Sequence, residues 1–489
     1  MGGTKQMGEA PLGRAQLCLA VGDVQGAVAA LEDAVARIPE FAEAHRILGG
    51  LYLGSLDDYP RARRHFEVAL GLHQESGDRL TAIRCAVLLS MVEAAGGSES
   101  GRQRWLDRAR RLLDEVGPCV EEGHYRVARR GFEVPDVGQL EADANAALDL
   151  ARRFGDTDLE VRALAERGLA LVSLGRTVEG LTLLDEATTA VMAGKVRAFG
   201  MWGMTCCALV TSCYRLGDLG RLNRLVDDLR RMAKERFHGL QQPILTAHCR
   251  ETLGGLLADA GRWEDAGTEL LRAIAASACV GHRAAAAAHL AVIRLHQGRL
   301  DEAAELLHGL EDRPEVAAAL ARLRDDRGEL ELAASTLRQA LTEHASNLVQ
   351  SAPLLLHLVD VERRRGEVGA ADRAATRLED VAASLSSPEV AAMALLARGR
   401  VCRARDEDAG PPLLAALREL QGRERPHLLA EVHLALAKAV SLGPAEAIAE
   451  AREALALFTR LGARRDAGRA VEVLRSLGVP AGADAIDGR

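Results

Sequence analysis

The sequence predicts an all-α solenoid built from about twelve helix pairs. Three observations lead to this fold class. A turn glycine recurs, and the neighbouring turn glycines from Gly261 to Gly366 lie 30 to 38 residues apart. Apolar residues follow each glycine at offsets of 5, 9 and 12, which places them on one stripe of a helix. A single pair of such helices cannot bury its stripe alone, so neighbouring pairs must stack.

Each element follows from the same spacing. The glycine ends one helix in the left-handed conformation, and the next helix begins directly after it. Small Ala at offsets 5 and 12 lets two helices approach closely, while a larger Leu or Phe at offset 9 fills the space between them. The marks and their followers are Gly22 with Ala27, Leu31, Ala34 and Pro39; Gly175 with Gly180, Leu184 and Ala187; Gly261 with Ala266, Leu270 and Ala273; Gly298 with Ala303, Leu307 and Leu310; Gly328 with Ala333, Leu337 and Ala340; and Gly366 with Ala371, Ala375 and Leu378.

The pattern divides the chain into four segments. We expect disorder over 1–7, the repeat solenoid over 8–460, a capping helix over 461–478 and a disordered tail over 479–489. The segments 101–115, 137–154 and 399–420 fit the spacing poorly. An irregular helical bundle is the alternative.

The spacing resembles that of tetratricopeptide repeats, in which Leu-Gly is followed by Ala, an aromatic residue or Leu, Ala and Pro. The segments 22–39, 44–69, 253–273, 298–310 and 328–340 carry the resemblance best. It implies a right-handed superhelix whose concave groove is lined by the first helix of each pair.

A narrower resemblance concerns "LALVSLGRTVEGLTLLDEATTAVMAG", "CRETLGGLLADAGRWEDAGTELLRAI" and "ALALFTRLGARRDAGRAVEVLRSLG". These segments are similar to the sensor half of LuxR-type transcriptional regulators from high-GC bacteria. In that family a DNA-reading helix-turn-helix module usually follows. The present sequence ends "VPAGADAIDGR" without such a module; either the module was trimmed or the protein lacks it, so the resemblance carries over only sensing or partner binding.

Composition limits the classes of partner. The net charge is −8, and 58 of the 62 basic residues are Arg. They alternate with Asp and Glu rather than forming a basic stripe, so we expect no direct nucleic-acid binding. The nine cysteines fall mostly in apolar helical patterns, and no signal peptide is apparent, which predicts reduced thiols in a cytoplasmic protein. A homodimer is compatible with the sequence.

One segment departs from the average composition. Eight of the 31 Phe, Trp, Tyr, Met and Cys residues fall within the sixteen positions 199–214. A membrane span is disfavoured because a turn is expected at Gly217-Asp218. A metal site is disfavoured because Cys206 and Cys213 are about 10 Å apart along a helix. We expect Cys206, Cys213 and Met201 to pack between helices, while the other residues of the segment face the groove; packing of all eight in the core is the alternative.

Other chemical motifs do not appear. His282, His289 and His296 recur every seven residues, too far apart to share one ion, and are expected to hydrogen bond in the core or at the groove edge. Phosphate-binding loops, HExxH and CxxC are missing. The sequence therefore predicts no catalytic residues, no metal site and no cofactor.

Positions 2, 5, 9, 12 and 13 of each first helix face the groove in tetratricopeptide repeats. Counting back from the turn glycine as position 15 gives the candidate ligand-binding residues Arg162, Met204, Cys207, Thr211, Tyr214, Arg215, His248, Glu251, Asp259 and His296, and also Ser173.

Three functions remain open. The first is a sensor or adaptor that binds a small-molecule or peptide effector in the groove, in transcriptional regulation. The second is a scaffold that binds a protein partner along the groove. The third is an enzyme or accessory protein of a specialised pathway, for which converging groups with perturbed pKa values would be needed.

Overall fold

A computed structural model describes residues 2–21, 23–54, 58–129, 136–196, 199–216, 218–236, 247–277, 279–345, 347–385 and 387–479. Within these ranges all regular secondary structure is helical. Counted in order, the α-helices make twelve pairs and one final helix, so the predicted all-α helical-repeat solenoid is confirmed.

The first twelve helices are α1 (Gly2–Ala20), α2 (Val24–Arg37), α3 (Ala42–Gly54), α4 (Tyr59–Glu75), α5 (Arg79–Ala95), α6 (Glu99–Leu113), α7 (Val120–Ala128), α8 (Val137–Phe154), α9 (Thr157–Ser173), α10 (Thr177–Met192), α11 (Phe199–Leu216) and α12 (Leu219–Arg236). Most of them belong to a first compact unit, which comprises 1–172, 178–249 and 276–283.

The remaining helices are α13 (Ala247–Asp259), α14 (Trp263–Ala276), α15 (Val280–His296), α16 (Leu300–Leu307), α17 (Ala317–Asp326), α18 (Leu330–Glu343), α19 (Leu348–Arg364), α20 (Val368–Leu385), α21 (Pro388–Ala404), α22 (Gly410–Glu419), α23 (Pro426–Leu436), α24 (Pro444–Leu461) and α25 (Arg464–Ser476). A 3-10 turn, Pro314–Val316, precedes α17. The second compact unit comprises 173–177, 250–275 and 284–489.

The predicted stripe is buried after four of the five described marks; after Gly298, α16 ends at Leu307, so Leu310 lies outside the helix and is only half-buried. Gly261 and Gly328 have φ angles of 79° and 78°, the left-handed conformation that ends the preceding helix. After Gly261, Ala266, Leu270 and Ala273 are each 0% exposed. Removing such an Ala–Leu–Ala stripe from water stabilises the packing of the two helices of a pair.

A second glycine allows the two helices of a pair to approach closely. A Cβ atom added to Gly49 in α3 would lie 2.7 Å from the ring of Phe66 in α4. A Cβ atom added to Gly254 in α13 would lie 2.6 Å from Cγ of Leu270 in α14. The side chain at offset 9 therefore packs directly against the backbone of the first helix.

Three expectations concern the chain ends and the apolar segment. α25 lies inside the expected capping segment 461–478, and α24 ends at Gly462 with a φ of 69°. The structure places α1 from Gly2 onward, across most of the stretch 1–7, whereas 480–489 of the expected tail lie outside the described residues. Among the described helices, none combines the length and apolar character that a membrane crossing requires.

Candidate functional site in the second unit

The first helices of successive pairs form a layer in the second unit. α17 contacts α19, α19 contacts α21 and α21 contacts α23, although these helices are not consecutive in the chain. Ion pairs connect α15 and α25 to the same set. We call α15, α17, α19, α21, α23 and α25 the first-helix layer, and most of the buried charge of this unit lies on it.

Three side chains from distant parts of the chain meet at one end of this layer. His296 is the last residue of α15, His427 lies at the start of α23, and Asp466 lies in the first turn of α25. Nδ1 of His296 is 2.7 Å and Nε2 of His427 is 3.1 Å from Oδ2 of Asp466. One potential ligand atom from each of the three residues lies within 4.8 Å of the others. We call this group the His–Asp–His cluster.

Two members of the cluster are buried, and the third, His427, is half-buried. Asp466 is 0% exposed and His296 is 7% exposed. Burial, followed by the nearby charge of His427, lowers the pKa of His296 to about 3. Burial alone would raise the pKa of Asp466, but hydrogen bonds from both histidines hold it well below its usual range. At neutral pH a neutral His296 therefore lies beside an ionised carboxylate, which can bind a cation.

A chain of ion pairs extends from Asp466 through the layer. Nη1 of Arg469 lies 3.1 Å from Oδ1 of Asp466 and 2.6 Å from Oε1 of Glu431. Arg400 pairs with Glu431 and lies 2.6 Å from Oδ2 of Asp360. Burial would raise the pKa of Glu431, but Arg469 and Arg400 lower it overall. These buried charges are matched, because each guanidinium contacts two carboxylates.

Next to this chain of ion pairs lies a group of three basic side chains with few carboxylate partners. Arg363 in α19, Arg403 in α21 and Lys438 just after α23 form what we call the cation cluster. Burial, then the charges of Arg403 and Arg469, lowers the pKa of Lys438 to about 8. Burial also lowers the pKa of Arg363; the charge of Asp360 opposes this change, and the charges of Arg400 and Arg403 add to it. Positive neighbours therefore destabilise the charged forms of Arg363 and Lys438, and a nearby anionic group would offset that effect.

The layer contains a further pair of carboxylates on α17. Oδ2 of Asp325 lies 3.4 Å from Nε2 of His357, and its Oδ1 pairs with Arg364. The adjacent Asp326 pairs with Arg465 of α25. Burial raises the pKa of Asp326, and Arg465 opposes that rise. Thus α17 is connected to both α19 and α25 by charged contacts.

Three of the ten candidate residues from the sequence lie in this unit. Glu251 is 7% exposed, and its Oε1 lies 3.3 Å from Nε2 of His289. Burial alone would lower the pKa of His289, but the hydrogen bond and charge of Glu251 raise it. Asp259 is exposed and lies 2.9 Å from Arg425. Only His296 belongs to the His–Asp–His cluster, so the structure does not bring these three candidates together in one site.

The other seven candidates lie in the first unit. Arg162 is 5% exposed and its Nη2 lies 2.5 Å from Oε1 of Glu166, one turn away in α9. Half-buried side chains on α11 are Cys207, Thr211, Tyr214 and Arg215. The side chains of Met204 and His248, like that of Met201, lie outside the described residues. Whether these residues bind a ligand remains a prediction.

The interhelix positions of the apolar segment are partly described. Cys206 and Cys213 are 4% and 3% exposed. Burial raises the pKa of the Cys213 thiol to about 12 and raises that of Cys206 as well. Both thiols are therefore protonated, apolar packing groups at neutral pH. Ser173, the additional groove candidate, is 0% exposed.

The candidate residues chosen from the sequence omit most of the charged side chains of the first-helix layer. Some of them could have been found from the position of the turn glycines. Counting back from Gly328 and Gly366 by the same rule gives seven charged residues. Five of them take part in the contacts described above, namely Asp325, Asp326, Asp360, Arg363 and Arg364, and the other two are Glu315 and Arg322. Arg400 and Arg403 belong to a repeat whose turn carries Asp406, a non-glycine residue with a φ of 58°. That turn therefore lacks the glycine from which the count starts.

Comparison with known proteins supports the repeat pattern. Residues 12–77 and 252–317, about a quarter of the chain, match the tetratricopeptide repeat family. No curated relative matches the sequence. The structure of the Cut9–Hcn1 hetero-tetramer of the APC/C aligns over 95% of this chain and 96% of its own, with a TM-score of 0.38 and 14% identity. The human IFIT1 dimer with m7Gppp-AAAA aligns over 80% and 90%, with a TM-score of 0.40 and 15% identity. Two segments of the chain therefore match tetratricopeptide repeats, and the described residues form an all-α helical-repeat fold.

Proposed function

We propose that the protein is a cytoplasmic interaction adaptor whose second unit binds an acidic segment of a partner protein on the first-helix layer. The observation that carries this proposal is the cation cluster of Arg363, Arg403 and Lys438. Tetratricopeptide repeats are consistent with a protein-interaction role, and the charge of this layer indicates what kind of segment it would bind.

The cations of the cluster have few carboxylates of their own. The carboxylate nearest to Arg363 is Asp360 at 3.8 Å, and Asp360 lies closer to Arg400. Among the residues that the structure describes, neither Arg403 nor Lys438 has a carboxylate within 4.0 Å. A carboxylate supplied by a partner would relieve the repulsion between these groups, and charge-assisted hydrogen bonds to Arg and Lys are strong and orienting.

The spacing of the helices suits a short extended segment. Packed helices lie about 8–10 Å apart, so α19 and α23, with α21 between them, are separated by roughly 16–20 Å. An extended chain covers about 3.3 Å per residue, so about five or six residues span the cluster. A segment with two or more acidic residues could then contact the cations of successive helices.

Fluorescence anisotropy with labelled peptides tests the proposal. We expect saturable binding of Asp- and Glu-rich peptides that weakens as salt is raised, and no binding of Ser- and Gly-rich peptides of equal length. The double variant R403Q/K438Q should weaken binding at least tenfold. The matched control is R452Q/R460Q, which removes two exposed Arg residues from α24, outside the layer. Equal losses in the two double variants, or no acidic preference, would refute the proposal.

A sensor of small molecules in transcriptional regulation is the second candidate. It is favoured by the half-buried Cys207, Thr211 and Tyr214 on α11 and by the sequence resemblance to LuxR-type regulators. Native mass spectrometry of freshly purified protein separates the two candidates. A discrete additional mass that is lost on denaturation would favour the sensor, and a clean 52.2 kDa chain would favour the adaptor.

A further inference from the structure

We propose that His296, His427 and Asp466 form a binding site for one divalent transition-metal ion of the Zn²⁺ and Fe²⁺ class. The inference is independent of the acidic-segment proposal, because it concerns the other end of the charged network. Two imidazoles and one carboxylate are a ligand set that proteins use for zinc and for non-haem iron.

Two of the three donor-atom separations are close to those of a metal site, and the two imidazole nitrogens lie within 4.8 Å of each other. The two imidazole nitrogens lie 2.7 Å and 3.1 Å from the same carboxylate oxygen. In a tetrahedral zinc site, with bonds of about 2.0–2.1 Å, neighbouring donor atoms are roughly 3.3 Å apart. The His296 and His427 nitrogens would therefore have to move away from Oδ2 of Asp466 by only about 0.2–0.6 Å. His296 would coordinate through Nδ1 and His427 through Nε2.

The surroundings hold the three ligands in place. Oδ1 of Asp466 accepts a hydrogen bond from Arg469 at 3.1 Å, which leaves Oδ2 for the ion. Trp263 stacks on His296 with ring centroids 5.7 Å apart, and Phe458 lies 5.4 Å from the His427 ring. Hydrogen-bonded carboxylates and apolar walls are the outer-shell features that orient metal ligands.

The local charge also favours a cation. The guanidiniums that contact Asp466 belong to Arg465 and Arg469, and each also pairs with a second carboxylate, Asp326 and Glu431 respectively. Arg400 also pairs with Glu431, and its second partner is Asp360. These four carboxylates and three guanidiniums together carry one negative charge, which favours a divalent cation at Asp466 despite the nearby arginines.

Three protein ligands leave at least one coordination position for water or for an exogenous ligand. The site also connects α15 with α23 and α25, across 170 positions of sequence between His296 and Asp466. Metal binding should therefore raise the melting temperature of the full chain, since the ion binds the assembled unit and not the unfolded chain.

Titration of the chelator-treated full-length protein with Co²⁺ tests the proposal. We expect one equivalent to bind, with visible d–d bands, without the near-ultraviolet thiolate bands that cysteine ligands would produce, and with displacement by Zn²⁺. H296A and H427A should each weaken binding at least tenfold. The matched control is H433A, which removes another α23 histidine in contact with a single carboxylate, that of Glu450.

Circular dichroism verifies that each variant is folded, and the wild-type titration alone can overturn the proposal. The absence of saturable Co²⁺ and Zn²⁺ binding to wild-type protein would do so, whatever the variants show. Thiolate bands, or binding that survives in both H296A and H427A, would assign the ion to other residues and also overturn it.

Discussion

Adding one methyl group at Gly254 tests the close helix approach on which the repeat depends. In the variant Gly254→Ala the new Cβ would lie 2.6 Å from Cγ of Leu270, a side chain that is 0% exposed. Ordinary contacts of this type lie at 3.4 Å or more, so Leu270 would have to move by nearly 1 Å or change rotamer. The matched control is Gly267→Ala in α14, where the new Cβ would lie 3.9 Å from Leu290.

The difference in stability between these two variants measures the cost of the steric clash at Gly254. Both glycines lie within helices, so both substitutions gain about 0.8–1 kcal/mol of helix propensity. Gly267→Ala should therefore stabilise the protein by up to about 1 kcal/mol. Overpacking costs about 1–3 kcal/mol, so Gly254→Ala should be less stable than Gly267→Ala by about that amount.

Urea unfolding followed by circular dichroism at 222 nm measures both changes. Hydrogen exchange of peptides from α13 and α14 should show faster exchange in Gly254→Ala alone. In a Leu270→Ala background the cost of Gly254→Ala should disappear, because the clashing atoms are removed. Stability of Gly254→Ala equal to or above that of Gly267→Ala would show that the helices do not approach as closely as the structure indicates.

Three further predictions concern charged groups. Lys438, with a pKa of about 8, should reach half-maximal labelling by an amine-reactive reagent near pH 8; half-maximal labelling near the ordinary lysine pKa of about 10.4, measured by mass spectrometry of digests, would contradict this. Glu431→Gln should lower the free energy of unfolding by about 3 kcal/mol, because it leaves Arg400, which is largely buried, and the partly exposed Arg469 facing a neutral amide; a loss below 1 kcal/mol in urea unfolding would argue against buried pairing. The hydrogen bond from His124 lowers the pKa of Asp156 to about 2; since a depressed pKa stabilises only above the unfolded value, Asp156→Asn should cost about 2 kcal/mol at pH 7, and the difference should fade between pH 4 and pH 2.

Local sequence rules predicted the repeat because they describe short-range physics. Gly261 adopts a positive φ, and Ala266 and Leu270 are fully buried, as a turn glycine and its apolar stripe require. The same rules overlooked the turns at Gly155 and Gly462, which end α8 and α24 with φ angles of 71° and 69°. Those glycines end second helices of pairs, whereas the search used glycines that end first helices.

The His–Asp–His cluster could not be predicted in the same way. In the sequence, His296 is one of three histidines that recur every seven residues along one helix. These three lie too far apart to bind one metal ion, so the sequence did not predict a metal site. The structure instead places His296 beside His427 and Asp466, the latter 170 positions away. Periodicity shows which face of a helix is buried, but it does not show which distant repeats meet.

The two kinds of contact in the second unit carry different information. The apolar contacts repeat, with Ala266 and Leu270 in one pair and Ala333 and Leu337 in another, all 0% exposed. Stripes that recur from one pair to another stabilise stacking but do little to distinguish the correct neighbour from another. The ionic contacts differ at each step of the layer, and a wrong neighbour would leave a buried charge unpaired, at a cost of about 3–5 kcal/mol. Burial of charge is costly for stability, yet here it contributes specificity, because only the native order of first helices matches every carboxylate such as Glu431 with its cations. The cations of the cation cluster lack such a set of matching carboxylates. We therefore expect this part of the layer to contact another molecule.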